Sequence, residues 1–440
     1  MKKPKSPPPN RDQWKEFGEQ AFEIFSKVTD PTVRGEYLHW DKLRFLKPPE
    51  GLSHRAWWFG LKLRREQSKF IPLEDASRRP FRFNLPDPLP EWLHRTDSMA
   101  HGAIQQPEPV TNPETRDRYL VRSLIEESIT SSQLEGASTT RDVAKEMIRE
   151  GRQPRDRSER MILNNFRTMQ RIIDLKNQEL NVERIFEIHR IVTEGTLDVE
   201  SAVGRFRRPD EDIVVGDQFG EIFHVPPPAE ELERRVALMC DFANGRTPGG
   251  FIHPVVRSMI LHFWLAYDHP FVDGNGRMAR ALFYWSMRKQ GYWLFEYISI
   301  SRIILEAPAR YGLAFLHSET DDHDLTYFLL HQAEVIRRAI DELYRYIDER
   351  GRKLAEAQEE LRGLTHLNHR QRDLITHALR HPGQRYTVEY QKNTHHVVYE
   401  TARSDLMDLA KRGLLEKRKA GKTWIFTPRA DLEQRLREMG

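Results

Sequence analysis

Residues 257–267 (RSMILHFWLAY) form an apolar run without glycine or proline inside a chain that is 31% charged. Such a run belongs in a core, and its length and lack of breakers predict a buried helix. It leads into His269-Pro270-Phe271-Val272-Asp273-Gly274-Asn275-Gly276-Arg277-Met278-Ala279-Arg280, after which Met278–Gln290 predicts a second helix. The fold must therefore hold a helix–loop–helix whose polar groups gather in the loop. Gly274 and Gly276 let the backbone bend sharply and approach a ligand. A helix starting near Asn275 aims free N–H groups into the loop, which makes an anion site. Arg277 and Arg280 are three apart, so they share a face and can hold one phosphate chain. Asp273 is a hard oxygen ligand suited to Mg²⁺. His269 can take a proton from a nucleophile. Each residue alone has a plain structural explanation, such as a tight turn or a solvated arginine. Their gathering within twelve positions is what argues for a site.

This stretch resembles the signature of Fic-domain proteins, HPFx(D/E)GNGRxxR, and matches it at every fixed position. The resemblance implies a mainly α fold, a Fic-type helical bundle with a β-hairpin flap, and transfer of AMP from ATP to a hydroxyl of a target protein. It implies His269 as general base and Asp273 as the Mg²⁺ ligand. Gly274, Asn275, Gly276, Arg277, Met278, Ala279 and Arg280 would line the triphosphate. Many relatives carry two adjacent tyrosines near the adenosine; here the pair reads Arg310-Tyr311, so only Tyr311 carries over.

Two further segments acquire meaning beside that signature. A helix is predicted from about Arg116 to Leu134; Ser131 and Glu135 are four apart on one face, and Gly136 can end the helix in a left-handed turn. Ser131–Gly136 is similar to the (S/T)xxxE(G/N) inhibitory motif of Fic proteins. The similarity implies that Glu135 pairs with Arg280 and removes the charge a γ-phosphate needs. Asp212–Pro226 has two β-prone runs around Gly216-Asp217-Gln218-Phe219-Gly220, a hairpin signal. A hairpin in a helical domain leaves an edge that can add a partner's strand. It resembles the Fic flap, with Ile213, Val214, Val215 and Gly216 as docking residues.

The expected organisation is a disordered leader (1–10), a Trp/Pro-rich module (11–110), a Fic catalytic domain (111–345) containing the inhibitory helix (116–136), a linker helix (346–364) and a winged-helix-like domain (365–440). The module 11–110 holds five of the nine tryptophans and no catalytic constellation, so a packing role is expected. Gln105–Thr115 is a Pro-rich boundary. His189 reads as a helix-face residue. Asp321, Asp322, His323 and Asp324 look like a helix N-terminus rather than a metal site. Cys240, the single cysteine, reads as a core thiol, and with no internal disulfide a reducing cytoplasm is expected. No apolar run approaches the ~20 residues of a membrane helix.

Net charge is +3, but Thr365–Gly440 carries 15 Lys and Arg against 9 Asp and Glu. Within it, helices are expected at Asn368–His381, Tyr386–Thr394 and Val397–Arg412, followed by a basic hairpin. Apolar positions of the third helix are Val398, Ala402, Leu406 and Leu409. Arg403, Lys417, Arg418, Lys419 and Lys422 are candidates for DNA phosphates. Glu400, Asp405 and Asp408 on the same helix argue against tight binding. Two rival functions stand beside AMP transfer: removal of AMP from a modified protein using Glu135 as base, and a DNA-binding regulator whose Fic domain only senses nucleotide. A homodimer is a further possibility from the resemblance.

Overall fold

A computed structural model describes residues 2–66, 68–100, 113–217, 219–363, 367–420 and 423–439. Most of the Pro-rich boundary, Gln218 at the hairpin turn, and Gly421 and Lys422 of the basic hairpin lie outside the described residues. The chain is mainly helical and divides into two compact units, Met1–Ile104 with Arg122–Ile340 and Gln105–Val121 with Asp341–Gly440.

The first unit is built around the helix Pro254–Asp268 packed on the helix Asn275–Lys289. Met259, Ile260, Leu261, Phe263 and Leu265 are completely buried, as their unbroken apolar run requires. Arg157–Asp174, Val182–Thr193 and Leu232–Ala243 surround this pair. Asp156 and Asn181 begin two of those helices by accepting the N–H of Glu159 and Arg184, the bond an N-cap side chain supplies.

The N-terminal residues fold onto this core. Strands β1 (Lys69–Glu74) and β2 (Pro80–Phe83) pair antiparallel and bury Ile71, Leu73, Phe81 and Phe83. Sequence reading did not foresee β1, whose Pro72 is a strand breaker tolerated where no ladder bond is needed. Leu89–Ala100 forms a helix, also unforeseen. Three buried contacts fix the packing: Lys62 Nζ to Asp321 Oδ1 (2.7 Å), Tyr37 Oη to Asp324 Oδ2 (2.6 Å) and Arg65 Nη1 to Tyr327 Oη (3.0 Å). Asp324 also accepts from Thr326 N at the start of the helix Thr326–Gly363, as expected for a helix N-terminus. Asp321 does something else: it neutralises a buried lysine.

The flap is shorter than expected. Strand β3 is Val215–Gly216 and β4 is Ile222–His224, with an irregular register between Val215↔His224 and Gly216↔Ile222. Ile213 and Val214, expected to dock a target from a strand, lie outside the paired segment. Local side chains hold the backbone another way: Asp217 Oδ1 accepts from Phe219 N and Glu221 N, and Glu211 turns back to Arg205.

In the second unit the helices His369–Arg380, Val388–His395 and Tyr399–Lys411 precede strands β5 (Leu415–Ala420) and β6 (Thr423–Pro428) and an unforeseen helix, Leu432–Met439. Leu374, Ile375, Leu406, Leu409 and Phe426 form its core. Val398, expected inside, is 70% exposed because it precedes the helix as its N-cap. Asp405 and Asp408, expected to weigh against DNA binding, are engaged within the module. Asp405 binds Arg370 Nε (2.7 Å) and Asn368 Nδ2 (2.8 Å), while Asp408 binds Gln371 Nε2 (2.9 Å) and Arg412 Nε (2.7 Å).

Candidate functional site

The core helix ends at Asp268, whose buried carboxylate receives Arg235 (2.6 and 2.9 Å) and Trp264 Nε1 (3.0 Å). The next residue, His269, takes a left-handed conformation (φ 45°) and closes the helix by donating its N–H to Leu265 O. A non-glycine residue in that region is uncommon and marks a constrained position. His269 Nδ1 lies 3.3 Å from Ala266 O. That contact assigns the proton to Nδ1 and leaves the Nε2 lone pair available. Burial pushes the imidazole down to about 4, so it is neutral near pH 7.

The loop beyond it is braced from within. Asn275 Nδ2 donates to Phe271 O (2.8 Å) and Asn275 Oδ1 accepts from Phe271 N (3.0 Å). Gly274 has φ 86°, and a Cβ there would meet Thr193 Cγ2 at 2.9 Å. The next helix starts at Asn275 with no side-chain cap, so its first N–H groups face the loop. Met278 and Ala279 are fully buried and offer the site backbone only.

His189, read from sequence as a helix-face residue, is completely buried under the loop. Its Nδ1 accepts from Gly204 N (2.9 Å), so Nε2 carries the proton and donates to Asp273 O (3.1 Å). Its ring stacks on Phe271 at 3.8 Å. The signal was present: Ile185, Ile188 and Val192 put His189 on the inward face of its helix.

The two signature arginines differ. Arg277 is fully buried and donates Nη1 to Val192 O (2.9 Å), while its Nε and Nη2 have no hydrogen-bond partner. Asp273 Oδ2 stands 3.7 Å from Nη2, beyond hydrogen-bond range. A buried guanidinium with two idle donors costs about 1–3 kcal/mol per unsatisfied group. The arrangement makes sense for a residue kept ready for an anion. Arg280 is engaged instead: Nε donates to Ser131 Oγ (2.8 Å), and Nη2 donates to Ser131 O (2.9 Å) and Glu135 Oε1 (2.8 Å). Burial opposes its charge, but Glu135 and the neighbouring Tyr311 and Glu127 hold it above the ordinary arginine value.

Glu135 reaches this position from the end of the helix Pro113–Leu134, which Gly136 stops at φ 91°. Its carboxylate lies on the first turn of the signature helix: a Cβ on Gly276 would sit 2.0 Å from Glu135 Oε1. The same helix is clamped one face further back by Glu127, which accepts from Tyr284 Oη (2.9 Å), Ser299 Oγ (2.8 Å), Ser301 N (3.1 Å) and the Ser301 hydroxyl.

The flap is bolted to the loop's main chain at both ends. Arg207 N donates to Pro270 O (2.9 Å) and Arg207 Nε to His269 O (2.9 Å). His224, on β4, joins Tyr267 O (2.7 Å) and Glu319 Oε2 (2.7 Å). Burial alone would lower His224; Glu319 more than offsets it, and the imidazole sits above its usual value. Tyr311 comes near Arg280, but its hydroxyl is engaged by His262 Nε2 at 2.8 Å. The structure thus brings together His269, Asp273, the glycine loop, both arginines, Ser131, Glu135 and β3–β4.

Among the described residues no group of three or more His, Cys, Asp or Glu could hold a metal by itself. The partly exposed Asp273 carboxylate fits Mg²⁺, which takes few protein ligands and completes its shell with phosphate and water oxygens. Among the described residues no helix is long and apolar enough to cross a membrane.

Residues 179–287 match the Fic/DOC family model. The chain is similar to a protein adenylyltransferase Fic from Nematostella vectensis, 28% identical over 191 residues, covering 42% of this chain and 40% of that protein. A namesake from Aedes aegypti is 33% identical over 117 residues, covering 27% and 21%. The chain thus aligns with two fifths or less of the length of these relatives. A crystal structure of a Fic family protein from Desulfovibrio desulfuricans is similar with a TM-score of 0.49 and 18% identity, covering 77% of this chain and 94% of that one.

Proposed function

We propose that this chain, whose residues 179–287 carry the Fic/DOC domain, is a protein adenylyltransferase held in check by its own Glu135. The observation that carries the reading is Arg277: its two unpartnered buried donors stand beside a glycine loop and a helix N-terminus, a short chain distance from a neutral histidine. That set suits a triphosphate and an incoming hydroxyl better than any purely structural role.

In the reaction His269 Nε2 takes the proton of a target Ser, Thr or Tyr hydroxyl. The hydroxyl oxygen forms a bond to the α-phosphorus of ATP. The bond between that phosphorus and the oxygen bridging to the β-phosphate breaks, and pyrophosphate leaves with the electron pair. Arg277 and the first N–H groups of the signature helix take up the developing charge, which costs little reorganisation because they are already in place. Asp273 would hold Mg²⁺; when bound, the ion supplies charge neutralisation across the phosphates. His189 keeps the Asp273 carbonyl and Phe271 in register. Met278 and Ala279 contribute backbone, and Tyr311 closes the far wall beside Arg280.

Glu135 holds the reaction back in two ways. It occupies Arg280 Nη2 and puts a carboxylate over Gly276, where a phosphate would lie. Ser131 supports the pair by taking two more of Arg280's donors. Conversion of His269→Ala with labelled ATP and a protein extract tests the chemistry. Transfer should fall by ~10²–10⁴ while nucleotide binding persists. Transfer at the normal rate would remove His269 from the account.

For the second unit we propose a winged-helix-like module that contacts DNA phosphates through β5. Lys417, Arg418 and Lys419 are exposed and, among the described residues, have no carboxylate partner; Lys417 and Lys419 lie 5.6 and 5.9 Å from the Trp424 ring. The inward turn of Asp405 removes one of the charges that argued against such binding.

A further inference from the structure

The flap has a composition that its backbone role does not require. Phe219 is 85% exposed and Val225 68%; Val214 and Ile222 are also exposed. Four large exposed apolar side chains within seventeen residues are more than a covering hairpin needs. The same stretch, 209–225, contains five carboxylates and no lysine or arginine. Two of the five have local work: Glu211 binds Arg205 with both oxygens (2.9 and 2.6 Å), and Asp217 makes the turn. Of the other three, Asp210 shares the field of Arg205, while Asp212 and Glu221 are exposed and make no ion pair among the described residues.

The patch also has a fixed distance to the chemistry. His224 Nε2 ties β4 to Tyr267 O, two residues before His269, and Arg207 ties the entry of the flap to His269 O and Pro270 O. Among the described residues no third strand joins β3 and β4, so edge N–H and C=O groups remain open. A segment pairing there would lie extended, with alternate side chains turned toward and away from the flap.

We infer that the flap selects targets in which the acceptor hydroxyl lies in an extended segment alternating apolar residues with lysine or arginine. The apolar residues cover Phe219, Ile222 and Val225. The cations answer Asp212 and Glu221. This rests on the adenylyltransferase reading for its chemistry, but the docking preference is measurable apart from it. Acidic segments are rejected by the like charge, which serves specificity as much as attraction does.

The test uses full-length protein carrying Glu135→Gly and three β-prone peptides, each with one central hydroxyl residue and apolar residues at alternate positions. The remaining positions are Lys, Ser or Glu. Binding is read by fluorescence anisotropy of dye-labelled peptide and transfer by labelled ATP. The Lys peptide should exceed the Glu peptide by roughly tenfold in both, since each exposed charge pair contributes modestly. Raising ionic strength to 0.5 M should shrink that ratio to about two, as screening shortens to a few ångströms. Asp212→Lys with Glu221→Lys should reverse the order, and Phe219→Ser should weaken all three peptides. Equal binding of the three, or preference for Glu, overturns the inference even if transfer occurs. Ordered binding with no transfer leaves the docking preference standing and overturns the adenylyltransferase reading instead.

Discussion

Removing the Glu135 carboxylate should make the protein less stable alone and more responsive to ATP, two effects of opposite sign from one contact. Glu135 Oε1 accepts from Arg280 Nη2 at 2.8 Å, with Arg280 buried and Glu135 less than a third exposed. A hydrogen bond between charged groups is worth about 1.5–3 kcal/mol, and the partial exposure argues for the lower end. In Glu135→Gly, Arg280 keeps its two bonds to Ser131 but loses its counter-charge. The unliganded protein should therefore lose about 1.5–2 kcal/mol, and melt a few degrees lower. The same energy no longer opposes a phosphate at Arg280, so productive ATP affinity should rise about 10- to 30-fold. At ATP equal to 100 times the dissociation constant, binding returns about 2.7 kcal/mol. Melting curves of wild type and variant should thus cross as Mg²⁺-ATP is added. Labelled AMP transfer should rise in step, and Glu135→Gln, which keeps a neutral acceptor, should fall between the two. Equal ATP-induced shifts and equal transfer in wild type and Glu135→Gly would refute the reasoning.

Gly276→Ala places a methyl where the Glu135 carboxylate now rests. It should displace Glu135 without activating the protein, and in a Glu135→Gly background it should cut ATP binding, measured by calorimetry. Stability should also fall with acid. His39 and His317, stacked at 4.3 Å, are held neutral by burial, down to about 4 and about 3. The unfolded chain takes up these protons first, so their contribution is complete above pH 6.5 and declines below it; two sites give a slope of about 2.7 kcal/mol per pH unit near pH 5. Asp321 adds a later loss: burial raises its carboxyl, Lys62, Arg65 and His39 outweigh that and bring it to about 2, so its contribution fades as pH falls from about 4 toward 2. Urea melts across pH 4–8 should show the first decline, and it should weaken in His39→Gln/His317→Gln. For the second unit, duplex DNA binding by the full chain should depend steeply on salt. Replacing Lys417, Arg418 and Lys419 by alanine should reduce the log–log slope by about 2–3, and an unchanged slope would remove β5 from the interface.

The parts of this molecule legible from sequence are those where local chemistry and burial agree. The helix–loop–helix was readable because an apolar run without breakers has one destination and because glycines, arginines and a histidine mark the bend. Glu135 was readable only beside the signature, since a glutamate before a glycine usually just ends a helix. His189 was missed because a single polar residue in a helical pattern carries no sign of its partners, which come from Gly204 and Asp273. Strand β1 was missed because its stability comes from packing on the core, not from its own propensity. Asp405 was misjudged for a related reason: its partners, Arg370 and Asn368, lie some 35 positions upstream. Ile213 and Val214 read as strand from β-propensity, but the paired segment begins only at Val215, opposite His224.

If the flap docks targets as proposed, the way it is attached has an evolutionary consequence. Its attachments to the signature segment end on carbonyl oxygens of residues 267, 269 and 270. Carbonyls persist whatever side chain an amino acid carries, so drift in the hairpin's tip leaves the reacting geometry intact. Under that reading, a lineage could exchange its targets by rewriting the tip between Arg207 and His224 while the bend at 269–280 stays as it is.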